Sequence, residues 1–148
     1  MTYRVRSYRD DDLAVLLDLH HAVAAAEGSP RRVTVAEIEE RILAPGYDRA
    51  RHLLVAEDDH GFAGECDVRV IWTHTEPYPQ VEATAVVHPR ARPSGLAEQL
   101  IQRVWQVGAE DVQVLGAGRA ICQCRCVEND QFRRQTYENL GLALARDN

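Results

Sequence analysis

The stretch Val81-Glu82-Ala83-Thr84-Ala85-Val86-Val87-His88-Pro89, followed by Arg90-Ala91-Arg92-Pro93-Ser94-Gly95 and then by Leu96-Ala97-Glu98-Gln99-Leu100-Ile101-Gln102-Arg103-Val104-Trp105, decides the fold. It reads as a strand, a turn punctuated by proline and glycine, and an amphipathic helix. A helix start carries backbone N–H groups without intrahelical partners and the positive end of the dipole, so it attracts phosphate. Gly95 and Ala97 keep the first turn small enough for a diphosphate to approach the backbone. Arg92 adds a charge that can fork onto phosphate oxygens.

Working outward, Tyr3 to Tyr8 alternates as a first strand. Asp10, Asp11 and Asp12 place acids at the start of a helix that runs to about Ala26, with Leu13, Leu16, Leu17, His20 and Ala24 as its inner stripe. His20 and His21 read as packing residues. Thr34 and Glu37 form a capping box that opens a second helix, with Val35, Ile38 and Ile42 inward and Glu37 paired with Arg41. Gly46 to Arg51 reads as a polar link. His52 to Glu57 and Phe62 to Thr73 are strands joined by the turn Asp58-Asp59-His60-Gly61, a hairpin. After the central strand and helix, Gly108 to Arg119 reads as loose. Ala120 to Cys126 is a further strand, Asp130 to Leu140 a helix closed by Gly141, and Leu142 begins a last strand. The order β-α-α-β-β-β-α-β-α-β predicts an α/β protein with a mixed sheet and helices on both faces.

The 148 residues fit one domain with a real core. A net charge of −6, with all 17 basic residues arginine, argues against a general nucleic-acid-binding role. The apolar run Leu13 to Ala26 carries Asp18, His20 and His21, so it is no membrane span, and the chain reads as cytoplasmic. Cys122, Cys124 and Cys126 alternate along one strand, a poor arrangement for disulfides. With Cys66 they read as small side chains of a reduced, buried strand, and no metal site is expected.

The turn Arg92-Pro93-Ser94-Gly95-Leu96-Ala97 resembles the Arg/Gln-x-x-Gly-x-Gly/Ala loop that holds the cofactor diphosphate in the GCN5-related N-acetyltransferases, the GNAT superfamily. A second segment resembles that family's Asn-x-x-Ala-x-x-x-Tyr-Glu-x-Leu-Gly-Phe: Asn129, Tyr137, Glu138, Leu140 and Gly141 match, while Arg133 replaces Ala and Leu142 replaces Phe. The element order fits the same family over essentially the whole chain. The resemblance implies the GNAT fold and transfer of an acetyl group from acetyl-coenzyme A to an amine, by direct attack. The acceptor would be a small molecule or a protein.

By the same resemblance, Arg92, Ser94, Gly95, Leu96, Ala97 and Asn129 hold the cofactor, and the backbone of Val86 and Val87 holds pantetheine. Tyr137 is the general acid. Glu82 is the first candidate for the base, ahead of Glu65 and His88. Pro93 removes one amide from the phosphate loop. The family's final strand is missing after Gly141, so a homodimer partner or a second GNAT domain is expected to complete the sheet. The stretch Tyr3 to Asp67 is similar to the N-terminal halves of tandem acetyltransferases of the mycothiol synthase type. A catalytically degenerate GNAT module that binds coenzyme A or a partner chain is therefore the alternative reading. A dinucleotide-binding oxidoreductase fits poorly, because the glycine loop follows four strands and does not open a first βαβ unit.

Overall fold

The structure is a computed structural model, and it describes residues 2–30, 32–73, 75–125 and 130–143. Strand β1 is Arg4–Ser7. The Arg6 guanidinium forks onto Asp12 at 2.8 and 2.9 Å, and Asp12 also accepts the Arg9 amide at 2.8 Å. These bonds lock the corner into helix α1, Leu13–Ala26. Its buried stripe is Leu16, Leu19 and Val23. The expected stripe was displaced by part of a turn, because His20 and Ala24 flank the larger Leu19 and Val23, which take the core.

Helix α2 is Val35–Ile42, with the Thr34 hydroxyl accepting the Glu37 amide at 3.2 Å. Ile38 and Ile42 are buried, but Val35 sits in the first turn and is exposed, contrary to expectation. The predicted polar link holds a short helix, α3 (Arg49–His52), capped by Asp48. From it, Arg51 and His52 both reach Asp111, at 2.8 and 2.7 Å.

Strands β2 (Leu53–Asp58), β3 (Gly61–Ile71), β4 (Gln80–Val87) and β5 (Ile121–Gln123) complete a sheet of order β1-β2-β3-β4-β5. All neighbours are antiparallel except β4 and β5, which are parallel. Helix α4 is Leu96–Val114 and α5 is Gln131–Asn139. One core layer packs α4 and Tyr137 of α5 on the sheet through Cys66, Val68, Val81, Ala83 and Leu100. The other packs α1 and α2 on the opposite face through Leu16, Leu53, Val55 and Val86. The expected mixed α/β architecture is present.

Three expectations change. The residues from Gly108 to Val114, read as loose, continue α4. Gly108 is buried, and a Cβ there would collide with Val81 Cγ1 and lie 3.2 Å from Val68 Cγ2. Glycine is thus where the helix comes closest to the sheet, and the close packing offsets its poor helix propensity. Strand β5 is only three residues long, and Cys122 on it is exposed, not buried. Cys126 lies outside the described residues. So does the predicted last strand from residue 144 onward, and Leu142 and Ala143 are not in a strand. No described helix is long and apolar enough to cross a membrane.

Gly108→Ala should destabilise the protein by about 1–3 kcal/mol through overpacking. The control Gly118→Ala, with no atom within 4 Å of the new Cβ, should stay within about 0.5 kcal/mol. Urea unfolding of both variants checks this.

Candidate active site at the open edge of the central strand

Strand β4 pairs with β3 along its whole length, from Gln80 opposite Ile71 to Val87 opposite Gly64. On its other side it pairs with β5 only at Gln80, Val81 and Glu82. Beyond Glu82 the two strands diverge. Strand residues turn their amide and carbonyl alternately to either neighbour. The His88 amide donates to Ala63 O at 2.8 Å, and Val86 O faces Gly64, so the even positions address β3. The edge beyond β5 therefore belongs to Ala85 and Val87. Of the two expected backbone sites, Val87 has the parity to meet a ligand and Val86 does not. Ala85 has the same parity as Val87 and was not among the expected positions.

One end of this edge runs into the loop Pro89–Ser94, a 3-10 helix, and into Gly95, whose φ of 78° starts α4. Residues with a side chain rarely adopt that angle, and Gly95 permits the sharp reversal. Ser94 Oγ accepts the Leu96 amide at 3.3 Å, so part of the expected phosphate cradle is satisfied internally. The Arg92 guanidinium lies 5.0 Å from the centroid of the Phe132 ring and donates to Glu27 at 3.2 Å. Its Nε is buried with no partner among the described residues. Ala97 is buried beneath the first turn of α4. Asn129 lies outside the described residues.

Helix α5 covers the same cleft. Tyr137 is buried, and its hydroxyl donates to Arg125 O at 2.9 Å. One turn earlier, Arg133 donates to Ala85 O from Nε and Nη2, both at 3.4 Å. Glu82 stands where β4 and β5 part. Its carboxylate accepts from Gln123 at 3.0 Å and pairs with Arg125 at 3.3 Å. His88 is used locally: its Nδ1 accepts the Arg90 amide at 3.2 Å, and burial followed by the Arg90 charge lowers its pKa.

Glu65 is fully buried on the α1/α2 face. It accepts from His20 at 2.9 Å and from both Arg41 terminal nitrogens at 3.2 Å. Its second oxygen has no partner among the described residues. Arg41, expected on Glu37, thus reaches beneath the sheet, and His20 is a polar ligand of a carboxylate and not merely a packing residue. Burial works against the Glu65 charge, but Arg41 and the His20 hydrogen bond outweigh it and hold its pKa below the usual value. Asp67, two residues along the same face, is pushed up to about 6 by burial and then by Glu65. Glu65 and Asp67 at i, i+2 in a largely apolar strand was the sequence signal for this cluster.

The chain is similar to the mycothiol acetyltransferase of Mycolicibacterium gilvum, with 28% identity over 143 residues, 96% of this chain and 42% of the relative. It therefore spans about two-fifths of the length of that curated relative. No protein-family model matches. Among solved structures, a GCN5-related N-acetyltransferase of Sphaerobacter thermophilus superposes with a TM-score of 0.75 at 21% identity, over 93% of this chain and 42% of that one. The structure of yncA from Salmonella typhimurium with its cofactor acetyl-CoA superposes with a TM-score of 0.71 at 20% identity, over 99% and 82%. The fold is that of the GCN5-related N-acetyltransferases.

The Asp67 carboxyl gives a pH signature. Unfolded, it releases its proton near its ordinary value of 3.8; folded, it keeps it to about 6. Between these values the folded state binds more protons, so this group's contribution to stability falls as pH rises and is flat above about 6. The stability of wild type minus that of Asp67→Asn should fall by about 1–3 kcal/mol from about pH 4 to about pH 7. Urea unfolding at several pH values measures it, and a difference that grows with pH contradicts the assignment.

Proposed function

We propose that this chain is an acetyl-coenzyme-A-dependent N-acetyltransferase domain. The observation that carries the reading is the edge of β4 with no neighbouring strand at Ala85 and Val87, which leads into the Gly95 start of α4 and has Tyr137 set across it from α5. An extended pantetheine arm suits such an edge, because it can pair with strand amides and carbonyls as another strand would. The diphosphate suits the α4 start with Arg92 beside it. Acetyl-CoA supplies an activated thioester to this site.

The chain's own groups then divide the work. The Val87 amide, fixed in a sheet, donates to a developing oxyanion with little reorganisation. The Tyr137 hydroxyl turns from Arg125 O to donate its proton to a leaving thiolate. Glu82, held by Gln123 and Arg125, accepts the amine proton through water. Glu65 is buried among Arg41 and His20 and serves to order that face. The acceptor is an amine of a small molecule or a protein. A cavity of about 700 Å3 beside α2, lined by Glu37, Glu39, Glu40, Arg41 and Arg69, gives a cationic amine acidic partners on the side of the sheet away from α4. The alternative, a degenerate module that binds coenzyme A or a partner chain without turnover, is favoured by Arg133, which lies in the cleft where the family motif has alanine.

Tyr137→Phe separates the two readings. Under the enzyme reading, kcat falls about 100-fold with an amine panel, while acetyl-CoA affinity by calorimetry changes less than about threefold. An unchanged rate removes Tyr137 as the acid. No turnover by the wild type across the panel, with cofactor binding intact, favours the non-catalytic module.

A further inference from the structure

Arg133 projects from the face of α5 that carries Tyr137 one turn later, and is held by three groups. Asp130 accepts from its Nη1 at 2.6 Å and also accepts the Arg133 amide at 3.0 Å, so a single carboxylate caps α5 and aims the guanidinium. Glu27, at the end of α1, accepts from the same Nη1 at 3.4 Å. The remaining nitrogens, Nε and Nη2, fork onto Ala85 O. That carbonyl belongs to the β4 edge left open by the divergence of β5. A charged side chain that should prefer water is thus drawn against a strand edge, with two carboxylates to neutralise it.

Glu27 has a second role. Its Oε1 also accepts from Arg92 at 3.2 Å. One carboxylate therefore links the arginine of the Gly95 loop to the arginine of α5, bridging the two walls of the cleft. This is the place a phosphate-bearing, pantetheine-bearing ligand would have to enter.

We infer that Arg133 is the gate of the β4 edge: latched by Asp130 and Glu27, it covers Ala85 O and sets the affinity for the extended arm of an acyl-coenzyme A. This rests on the acetyl-coenzyme A reading above and goes beyond it by assigning the access residue. Entry of the arm requires the guanidinium to leave Ala85 O, so ligand affinity carries the cost of breaking the latch. A ligand with the same phosphates and adenosine but no pantetheine does not compete for Ala85 O and carries no such cost.

The test is calorimetric titration of wild type, Arg133→Ala and Asp130→Asn with acetyl-CoA and with 3′-phosphoadenosine 5′-diphosphate, which lacks the arm. Asparagine caps helices as well as aspartate does, so Asp130→Asn loosens the latch while keeping α5 and serves even if Arg133→Ala unfolds. The expected result is acetyl-CoA binding at least about fivefold tighter in Arg133→Ala and about twofold tighter in Asp130→Asn, with the arm-less nucleotide within about twofold of wild type throughout. Equal acetyl-CoA affinity in folded variants and wild type overturns the gate and leaves the cofactor reading standing. Loss of both ligands from Arg133→Ala also overturns it, because Arg133 would then be a phosphate ligand. If no folded form binds either ligand, the cofactor reading falls and the gate falls with it.

Discussion

The asymmetry of β4 is the constraint on which the rest of the molecule depends. One side of the strand pairs with β3 over its full length, while the other pairs with β5 at three positions and then stands open. Backbone groups in a protein interior need partners, and leaving one unmet costs about 1–3 kcal/mol. The neighbouring elements are arranged around that debt. Helix α5 brings Arg133 to Ala85 O, and Tyr137 satisfies Arg125 O on the far wall. The same edge is a template that an extended ligand can complete.

The two faces of the sheet are built on different physics. On the α4 side the core is apolar and close-packed, and Gly108 lets the helix settle onto Val81 and Val68. Leu96, Leu100, Ile101 and Val104 of the same helix are buried in that core, which seats the Gly95 turn at its start beside β4. The α1/α2 side has apolar packing around Leu16 and Val86, but it also buries Glu65 and Asp67 with Arg41 and His20. Such a cluster does not stabilise the fold more than apolar residues would. It ties α1 and α2 to β3 through His20 and Arg41.

Much of this was legible in the sequence, because it is written locally. The alternation of β4, the glycine turn, the Thr34 cap and the apolar face of α4 each depend on neighbours within one or two turns. What was missed depends on long-range partners. Gly108 reads as a helix breaker until Val81 is seen beneath it. Arg41 reads as an i, i+4 partner of Glu37 until Glu65 is found opposite. Val86 and Val87 look alike in sequence, and only the pairing of His88 with Ala63 fixes which one faces the open edge. Arg133 was visible as a departure from the family motif, but its consequence needed the position of Ala85 O, 48 residues away.

The open edge of β4 and the start of α4 together form the proposed cofactor site. Titration of the isotope-labelled protein with acetyl-CoA, read from backbone amide chemical shifts, tests it most directly. The amides of Ala85, Val87, Gly95, Leu96 and Ala97 should shift together along one binding isotherm, while those of Glu37 and Glu39 on the acidic groove stay fixed. Saturable binding that leaves the amides of Ala85, Val87 and Gly95 to Ala97 unmoved would contradict it.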